Sequence, residues 1–197
     1  MDLIIVAGMP ATGKTTLSKK IAAAFGMPLL EKDEIKEEIY EIQGYRNPEE
    51  RAAADVVANA ILLRCACNIL TAGTSLLIVN NFDPTMADAV QNLIDSTGCR
   101  CVTVFLDGDG DILHRRYVER DAKHSRHPAH ELWDIYPPKE GDVPATMSRE
   151  HFAKVFEQMG MADFRINAPR IDLDATHPET IDVEKLIAEI RTLLEQN

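Results

Sequence analysis

Short apolar runs alternate along the chain with longer segments in which apolar residues recur every three or four positions. This alternation is typical of a parallel β-sheet whose strands are connected by helices. The run at 76–79 is apolar at every position, as expected of a strand that is covered on both faces. The predicted strands are 3–7, 28–30, 76–80, 101–106 and 170–173. The predicted helices are 14–25, 33–42, 49–70, 85–96, 111–122, 148–159 and 183–194.

Residues 123–146 interrupt this alternation. The segment is rich in proline and histidine and contains the only tryptophan, Trp133. Proline at this density argues against a long helix or a central strand. An irregular connection of this length inside a compact domain is typical of a functional lid or of a disordered segment. We therefore predict a single domain over 1–197 with a lid insertion at 123–146; the sequence assigns no role to Trp133 or to the lid histidines.

The composition is that of a soluble globular protein: of 197 residues, 45% are hydrophobic and 27% are charged. The formal net charge of −11 opposes binding to a long polyanion such as duplex DNA unless a local basic patch overrides it. The start of the chain has no basic region before its apolar run, and no run approaches the roughly 20 apolar residues of a membrane span. We therefore expect a cytoplasmic protein with a small-molecule partner and with neither nucleic acid nor a membrane as partner. The composition leaves the oligomeric state open.

The strongest chemical signal lies directly after the first predicted strand. Residues 8–15 read G-M-P-A-T-G-K-T, which matches the pattern G-x-x-x-x-G-K-[ST] at every fixed position. Two glycines let the backbone fold tightly, so that successive N–H groups point into one cavity at the start of a helix and bind phosphate. The predicted ATP-binding residues are Gly8, Pro10, Ala11, Thr12, Gly13, Lys14, Thr15 and Thr16.

Within this loop, two side chains carry specific roles. Lys14 is expected to reach the β- and γ-phosphates, and the Thr15 hydroxyl is expected to ligate Mg²⁺. The alternative, a chance glycine-rich turn, does not account for the apolar strand before the loop and the helix after it. The pattern itself fits GTP as well as ATP.

An acidic side chain follows the second predicted strand. In a parallel sheet, the carboxyl end of a strand beside the loop strand faces the same crevice as the bound phosphates. Asp33 is therefore placed to bind an acceptor hydroxyl and to accept its proton. A simple helix N-cap is the alternative role for Asp33, because a helical pattern begins there.

A P-loop near the start of the chain, followed by a short strand that ends in an acid, resembles the small P-loop kinases. This AAA-type ATP-binding family of kinases includes the chloramphenicol phosphotransferase, zeta-toxin, gluconate kinase and polynucleotide 5′-kinase types. The sequence Glu31-x-Asp33 also resembles the D-x-D of shikimate kinases, in which the pair serves Mg²⁺ and the substrate hydroxyl. The resemblance implies a three-layer α/β fold with a five-stranded parallel sheet in the order 2-3-1-4-5. It also implies a metal role for Glu31 or Asp33.

Arginines precede the lid segment. Arg116 and Arg120 are four residues apart and share one helix face, where two guanidinium groups can clamp a transferring phosphoryl group. Arg126 continues the series into the lid. In the kinases that this chain resembles, an R-x-x-x-R pair opens the mobile lid. The alternative is that these arginines lie on a solvent-exposed helix face. Arg115 is a second candidate for the phosphate-clamping role given to Arg116.

Two further residues are weaker candidates for substrate binding. Asn81 follows the most apolar strand and is suited either to a substrate hydrogen bond or to a loop or N-cap role. Arg51, on the predicted helix 49–70, is within reach of an acidic group on a substrate if that helix borders the crevice.

Together these features predict an ATP- and Mg²⁺-dependent phosphotransferase that acts on a hydroxyl of a small molecule. The predicted catalytic residues are Lys14, Asp33, Arg116, Arg120 and Arg126. A polynucleotide 5′-hydroxyl kinase is one alternative, since it shares the P-loop and the following acid. A nucleotide-hydrolysing switch or binding module is another. The sequence does not identify the acceptor.

Overall fold

The computed structural model describes residues 1–124 and 126–196. Its centre is one sheet of five strands in the order β2-β3-β1-β4-β5, and every neighbouring pair is parallel. The predicted sheet and its order are therefore confirmed. The strands are β1 Asp2–Gly8, β2 Leu29–Glu31, β3 Leu76–Val79, β4 Arg100–Asp107 and β5 Arg170–Asp174.

Helices connect the strands and cover the sheet, at the positions expected from the periodicity. They are α1 Lys14–Phe25, α2 Lys32–Gln43, α3 Pro48–Thr71, α4 Ala87–Thr97, α5 Gly110–Ala122, α6 Arg149–Phe152 and α7 Val183–Glu195. One difference concerns the predicted helix 148–159, of which only α6 is α-helical. A wider π-helical turn follows it at Ala153–Glu157.

The core lies on both faces of the sheet because successive strand residues point to opposite sides. In β1, Leu3 and Ile5 join a cluster that includes apolar residues of α3 and α4. Ile4 and Val6 join a second cluster with α1 and α7. All four side chains are fully buried, which explains why the central strands are apolar at consecutive positions.

Helix α3 is the one helix in the described part of the chain that is long and apolar enough to cross a membrane by length and composition. This is weak evidence, because a core helix of a soluble protein passes the same test. In α3, a stripe at every fourth position is buried under the sheet and α2. It consists of Ala54, Ala58, Leu62, Ala66 and Leu70.

The segment 123–146, in which residue 125 lies outside the described residues, packs against α2. It contains a short 3-10 helix at Pro128–His130 and two isolated antiparallel bridges. One bridge joins Tyr45 to Tyr136, whose rings stack at 5.9 Å. The segment is thus anchored to the α2–α3 connection through Tyr45. The single-domain division and the lid role of this segment stay predictions.

Gly8, where β1 enters the following loop, provides a test of the strand packing. Its φ is +132°, and a Cβ added there would lie 2.0 Å from the Leu106 carbonyl oxygen of β4. Because both the conformation and the backbone contact exclude a side chain, Gly8→Ala is expected to lower the free energy of unfolding by about 2–4 kcal/mol. Urea unfolding followed by circular dichroism measures this change.

Gly73→Ala is the matched control for Gly8→Ala. Gly73 also has a positive φ, +82°, but nothing lies within 4 Å of the added Cβ. Its substitution is expected to cost only the conformational strain, about 1–2 kcal/mol. Equal costs at the two positions would contradict the role assigned to the Leu106 contact.

Candidate active site

The loop between β1 and α1 is folded into a tight cradle. Ala11 and Gly13 have φ values of +62° and +87°, which turn successive backbone N–H groups toward one side. The buried Thr12 hydroxyl donates a hydrogen bond to the Met9 carbonyl oxygen at 2.7 Å and closes the loop from within. Since α1 begins at Lys14, the cradle lies at the positive end of a helix dipole. This geometry suits an anion.

Lys14 extends across the cradle. Its ammonium donates to the carbonyl oxygens of Gly8 at 3.0 Å and Met9 at 2.7 Å. Burial lowers the pKa of Lys14 to about 7; the charge of Asp33 opposes this shift, and Arg120 adds to it. A negatively charged ligand beside Lys14 would restore its full charge.

Thr15 and Glu31 place oxygen ligands next to the cradle. The Thr15 hydroxyl donates to Glu31 Oε2 at 2.9 Å, while Lys19 Nζ lies 3.6 Å from Oε1. Glu31 is buried, and its Oε1 accepts no hydrogen bond within the described part of the chain. No group of three or more His, Cys, Asp or Glu side chains among those residues forms a metal cage. A hydroxyl and one carboxylate fit Mg²⁺, which commonly retains water and substrate phosphate as its other ligands.

Asp33 lies in the first turn of α2 and faces the cleft, with 58% of its side chain exposed. The helix begins at Lys32, one residue earlier than predicted, so Asp33 is not its N-cap. The carboxyl group is open to the cleft, but the surrounding protein displaces part of its water, which acts to raise the pKa of Asp33. The charges of Lys32 and His130 outweigh this effect and hold that pKa well below its usual range. The carboxyl group is therefore ionised at neutral pH.

Two buried lysines accompany Asp33, and sequence analysis did not single them out. Lys32 Nζ lies 3.0 Å from Asp33 Oδ1 and 2.9 Å from Asp55 Oδ1. Lys36 Nζ lies 2.6 Å from Asp55 Oδ2. Burial acts to lower the pKa of Lys32, but Asp33 and Asp55 raise it above the ordinary value. The signal in the sequence was the four-residue spacing of the lysines, which puts both on one face of α2.

Arg116 connects α5 to the segment after β5. Its guanidinium donates from Nη1 to the Ala175 carbonyl oxygen at 2.9 Å and from Nη2 to that of Thr176. The same segment approaches the P-loop, since a Cβ on Gly13 would lie 4.0 Å from Pro178 Cβ. Arg116 therefore fixes the position of this segment beside the phosphate cradle.

Arg120 and Arg126 converge on the aromatic ring of Tyr117. Their guanidinium carbons lie 5.2 Å and 5.0 Å from the ring centroid. Arg126 also donates to the Tyr117 hydroxyl at 3.1 Å and pairs with Asp121 at 2.9 Å. Burial, and then the charge of Arg126, lower the pKa of Arg120. The two cations thus lie around one ring and both line the cleft, where an anion would relieve the effect of Arg126 on Arg120.

The lid histidines pair with carboxylates. His124 lies 2.6 Å from Glu131, and His130 Nε2 lies 2.8 Å from Glu37 on α2. Burial lowers the pKa of His130 to about 4, despite the opposing charge of Asp33. Trp133 donates from its indole nitrogen to the Pro128 carbonyl oxygen at 3.0 Å and anchors the segment internally.

One cleft of about 750 Å³ brings most of the predicted site residues together. Gly8 and Thr12 belong to the loop behind it, and Arg115 is not part of its lining. The site residues that line it are Pro10, Ala11, Gly13, Lys14, Thr15, Thr16, Glu31, Asp33, Arg51, Asn81, Arg116, Arg120 and Arg126. The roles assigned to them stay predictions.

A family model described as an AAA domain matches residues 3–135. The chain is similar to a solved structure described as a "putative kinase" from Chloroflexus aurantiacus J-10-fl, with a TM-score of 0.82 and 30% identity over 98% of this chain and 97% of that one. A sugar kinase from Janibacter sp. HTCC2649 has a TM-score of 0.56 and 20% identity, covering 99% of this chain and 95% of that one.

A gluconokinase from Sinorhizobium meliloti 1021 has a TM-score of 0.55 and 16% identity, covering 99% of this chain and 92% of that one. At these identities, the sugar kinase and the gluconokinase show likeness of fold alone. No curated protein sequence matches the chain significantly.

Proposed function

Because the chain belongs to the AAA domain family, with the fold of the small P-loop kinases, we propose that it transfers the γ-phosphoryl group of ATP to a hydroxyl of a small molecule. The observation that carries this proposal is that the ionised Asp33 carboxylate shares one cleft with the P-loop and with Arg120 and Arg126. The sugar kinase and the gluconokinase of the same fold support a small-molecule acceptor.

The nucleotide binds through the P-loop. Backbone N–H groups of the cradle and the Lys14 ammonium hold the β- and γ-phosphates. Lys14 exchanges its two carbonyl partners in the loop for phosphate oxygens. The Thr15 hydroxyl and the Glu31 carboxylate would hold Mg²⁺, which supplies neutralisation of the phosphate charge when bound.

The acceptor hydroxyl donates a hydrogen bond to Asp33. Its oxygen attacks the γ-phosphorus, a new O–P bond forms, and the bond from the γ-phosphorus to the β,γ-bridging oxygen breaks, so that ADP leaves. The hydroxyl proton passes to the Asp33 carboxylate and then to water. A carboxylate with a pKa well below its usual range is a weak base, so Asp33 serves mainly by orienting the hydroxyl until late in the transfer.

Arg120 and Arg126 stabilise the charge that spreads over the equatorial oxygens of the transferring group. Arg126 couples this role to the lid, because it donates a hydrogen bond to the His130 carbonyl oxygen at 2.7 Å. Closure of the lid would exclude water, which competes with the acceptor.

The lowered pKa of Lys14 predicts that ATP binding depends on pH. Above pH 7, Lys14 is mostly neutral in the free protein, whereas the phosphates of bound ATP favour the ammonium form. Binding is therefore expected to take up about one proton, and ATP affinity is expected to fall by up to tenfold per pH unit above pH 7. Calorimetric titrations at pH 8 in Tris and in HEPES measure the proton uptake from the difference in binding enthalpy.

Lys14→Met is the control for this pH dependence, since it removes the titrating group. Its residual nucleotide binding should show no proton uptake of this origin. Equal binding enthalpies for the unmodified protein in the two buffers, with constant affinity from pH 7 to pH 9, would refute the assignment to Lys14.

The experiment that tests the proposed function measures ATP consumption with Mg²⁺ across hydroxyl compounds that include nucleosides, sugars, hydroxy acids, amino alcohols and 5′-hydroxyl oligonucleotides. Stimulation by a small compound, with the phosphorylated product identified by mass spectrometry, is the expected result. Stimulation by oligonucleotides alone, with affinity that falls steeply with salt, would instead indicate a polynucleotide kinase. Hydrolysis that is indifferent to every compound would contradict phosphoryl transfer to these classes and favour a nucleotide switch.

A further inference from the structure

The acceptor half of the cleft contains a buried cation that the proposed phosphoryl transfer does not use. Lys36 lies three residues after Asp33 on α2, lines the cleft and is only 11% exposed. Lysine is rarely buried unless it is paired. Within 1–124 and 126–196, its ammonium forms an ion pair with Asp55 alone. That partner is shared, because Asp55 also pairs with Lys32.

The Lys36 ammonium also lies 5.3 Å from the centroid of the Tyr40 ring, and its charge is balanced within a cluster of two lysines and two aspartates. Burial first, and then the charge of Lys32, lower the pKa of Lys36 to about 8, against the opposing effect of Asp55. A further anion beside the ammonium would counter both causes, because it would favour the charged form. Lys36 is thus a buried cation at the cleft whose one ion-pair partner, Asp55, is shared with Lys32.

Arg51 adds a second cation on the same wall of the cleft. It lies four residues before Asp55 on α3, so the two side chains share a helix face. Its Nη2 donates to the Glu131 carbonyl oxygen at 3.1 Å, and its guanidinium lies 5.6 Å from the centroid of the Tyr45 ring. A guanidinium has five N–H donors, and the described residues accept from one of them. Arg51 therefore keeps donors for a ligand.

Apolar side chains complete this half of the cleft. They come from the turn before α4 and from the segments around α6, and they include Met86, Met147, Phe156 and Met161. Such surroundings lower the local dielectric constant. An ion pair between Lys36 and an anionic ligand is therefore stronger there than in water. Methionine adapts its shape to what it contacts, so this wall suits the carbon body of a small compound.

We propose that the phosphate acceptor carries an anionic group, a carboxylate or a phosphate monoester, that binds at Lys36 and Arg51 while its hydroxyl lies at Asp33. This inference rests on the proposed kinase function and specifies the substrate class. Asp33 and Lys36 are three residues apart on α2 and share a helix face, so one small compound can reach both side chains.

The competing interpretation is that Lys36, Asp55 and Lys32 form a purely structural network that orients Asp33. In that case an anionic acceptor would not contact Lys36, and the environment of the Lys36 ammonium would be the same with an anionic and with a neutral acceptor. The two interpretations are separated by observing Lys36 directly, without relying on turnover.

Nuclear magnetic resonance of protein labelled with ¹³C-lysine provides this observation, with the Lys36 side-chain signal assigned by its loss in Lys36→Gln. The triphosphate site is filled with AMP-PNP and Mg²⁺, so that small anions are excluded from the P-loop. The probes are 3-hydroxypropanoate, 2-hydroxyethyl phosphate and the neutral 3-hydroxypropanamide. We expect the Lys36 signal to shift with at least one anionic probe and not with the amide. The probe that shifts it identifies carboxylate or phosphate.

Kinetics give the second readout. The kcat/KM for an anionic acceptor is expected to exceed that for its neutral amide by about tenfold or more. This factor corresponds to the free energy of one charge-assisted hydrogen bond. Lys36→Gln should reduce this preference severalfold, because only Arg51 remains for the anionic group. Lys20→Gln should keep it, because Lys20 is an exposed lysine on α1 outside the cleft.

The two proposals fail in different ways. A Lys36 signal that is unmoved by both anionic probes, or moved equally by the amide, would overturn the anion site even if the protein phosphorylates a neutral compound. Anion-dependent shifts at Lys36 without phosphoryl transfer to any hydroxyl compound would overturn the kinase function and leave the anion site standing.

Discussion

Replacing Asp33 by asparagine is expected to lower kcat for phosphoryl transfer by about 10³-fold, within the range of a positioned general base. Asparagine preserves the size of the side chain but removes both the charge that orients the acceptor hydroxyl and the proton acceptor. ATP affinity is expected to change little if it is measured at pH 6.5. This pH matters because Asp33 raises the pKa of Lys14, so its loss would weaken ATP binding at higher pH for an indirect reason.

Glu34→Gln is the matched control for Asp33→Asn. It makes the same change of charge at the next residue, on the same helix turn, but Glu34 is exposed and does not line the cleft. Its kcat should be that of the unmodified protein. Full transfer activity in Asp33→Asn, or an equal loss in Glu34→Gln, would contradict the role of Asp33 in orienting the acceptor. Single-turnover rates with a saturating acceptor make the comparison independent of product release.

The parts of the site that could be predicted are those whose geometry is set locally. The P-loop is defined by consecutive residues between a strand and a helix, and the position of Asp33 follows from the rule that parallel strands end at one edge of the sheet. The central strands β1 and β3 were recognisable because burial on both faces makes 3–7 and 76–79 apolar at every position. Local encoding also explains why the helix boundaries differ from the predicted ones by only one or two residues in most elements.

The lysine cluster could not be predicted, because it depends on how two helices pack. The spacing of Lys32 and Lys36 shows a shared face, but charged residues at that spacing usually face solvent. Asp55 lies on α3, 19 residues after Lys36, and only the packing of α2 against α3 brings the three side chains together. Sequence periodicity predicts which residues share a helix face, but the packing of the helices determines whether that face contacts solvent or another helix.

The π-helical turn at Ala153–Glu157 was missed for a related reason. The apolar spacing of 148–159 fits an α-helix, and nothing in it marks a wider turn. In the folded chain, Phe152 and Phe156 both pack near the Tyr117 ring, at 5.8 Å and 6.1 Å between centroids. Turns of this kind are frequent at functional sites, and this one brings Val155 and Phe156 to the cleft.

Replacing Lys14 by methionine is expected to lower kcat by about 10²–10³-fold, the loss caused by removing one preorganised donor to the developing charge. Methionine keeps most of the length and the apolar stem of lysine but has no charge. The loss should be confined to nucleotide-dependent steps, because the hydrogen bonds of the Lys14 ammonium in the described part of the chain go to loop carbonyls. Pre-steady-state transfer rates at saturating ATP measure it, and Lys20→Met on the same helix is the control.

The same substitution should stabilise the fold, which separates loss of function from loss of structure. The pKa of Lys14 in the folded protein is about 7, below its ordinary value of 10.5. Unfolding therefore takes up a proton between these pH values, and the resulting penalty on stability is complete below pH 7 and disappears as the pH rises toward 10.5. Lys14→Met has no such penalty, so its melting temperature should exceed that of the unmodified protein at pH 6.5, with a difference that shrinks by pH 10.

A melting temperature of Lys14→Met below that of the unmodified protein at pH 6.5 would contradict this account. It would mean that the two carbonyl contacts of the ammonium stabilise the loop by more than burial of the charge costs. The expected opposite signs, lower activity with higher stability, follow from placing a cation where the folded chain offers it carbonyl oxygens but too little negative charge. The P-loop thus keeps a group that disfavours folding because bound phosphate, absent from the free protein, is the partner that its charge requires.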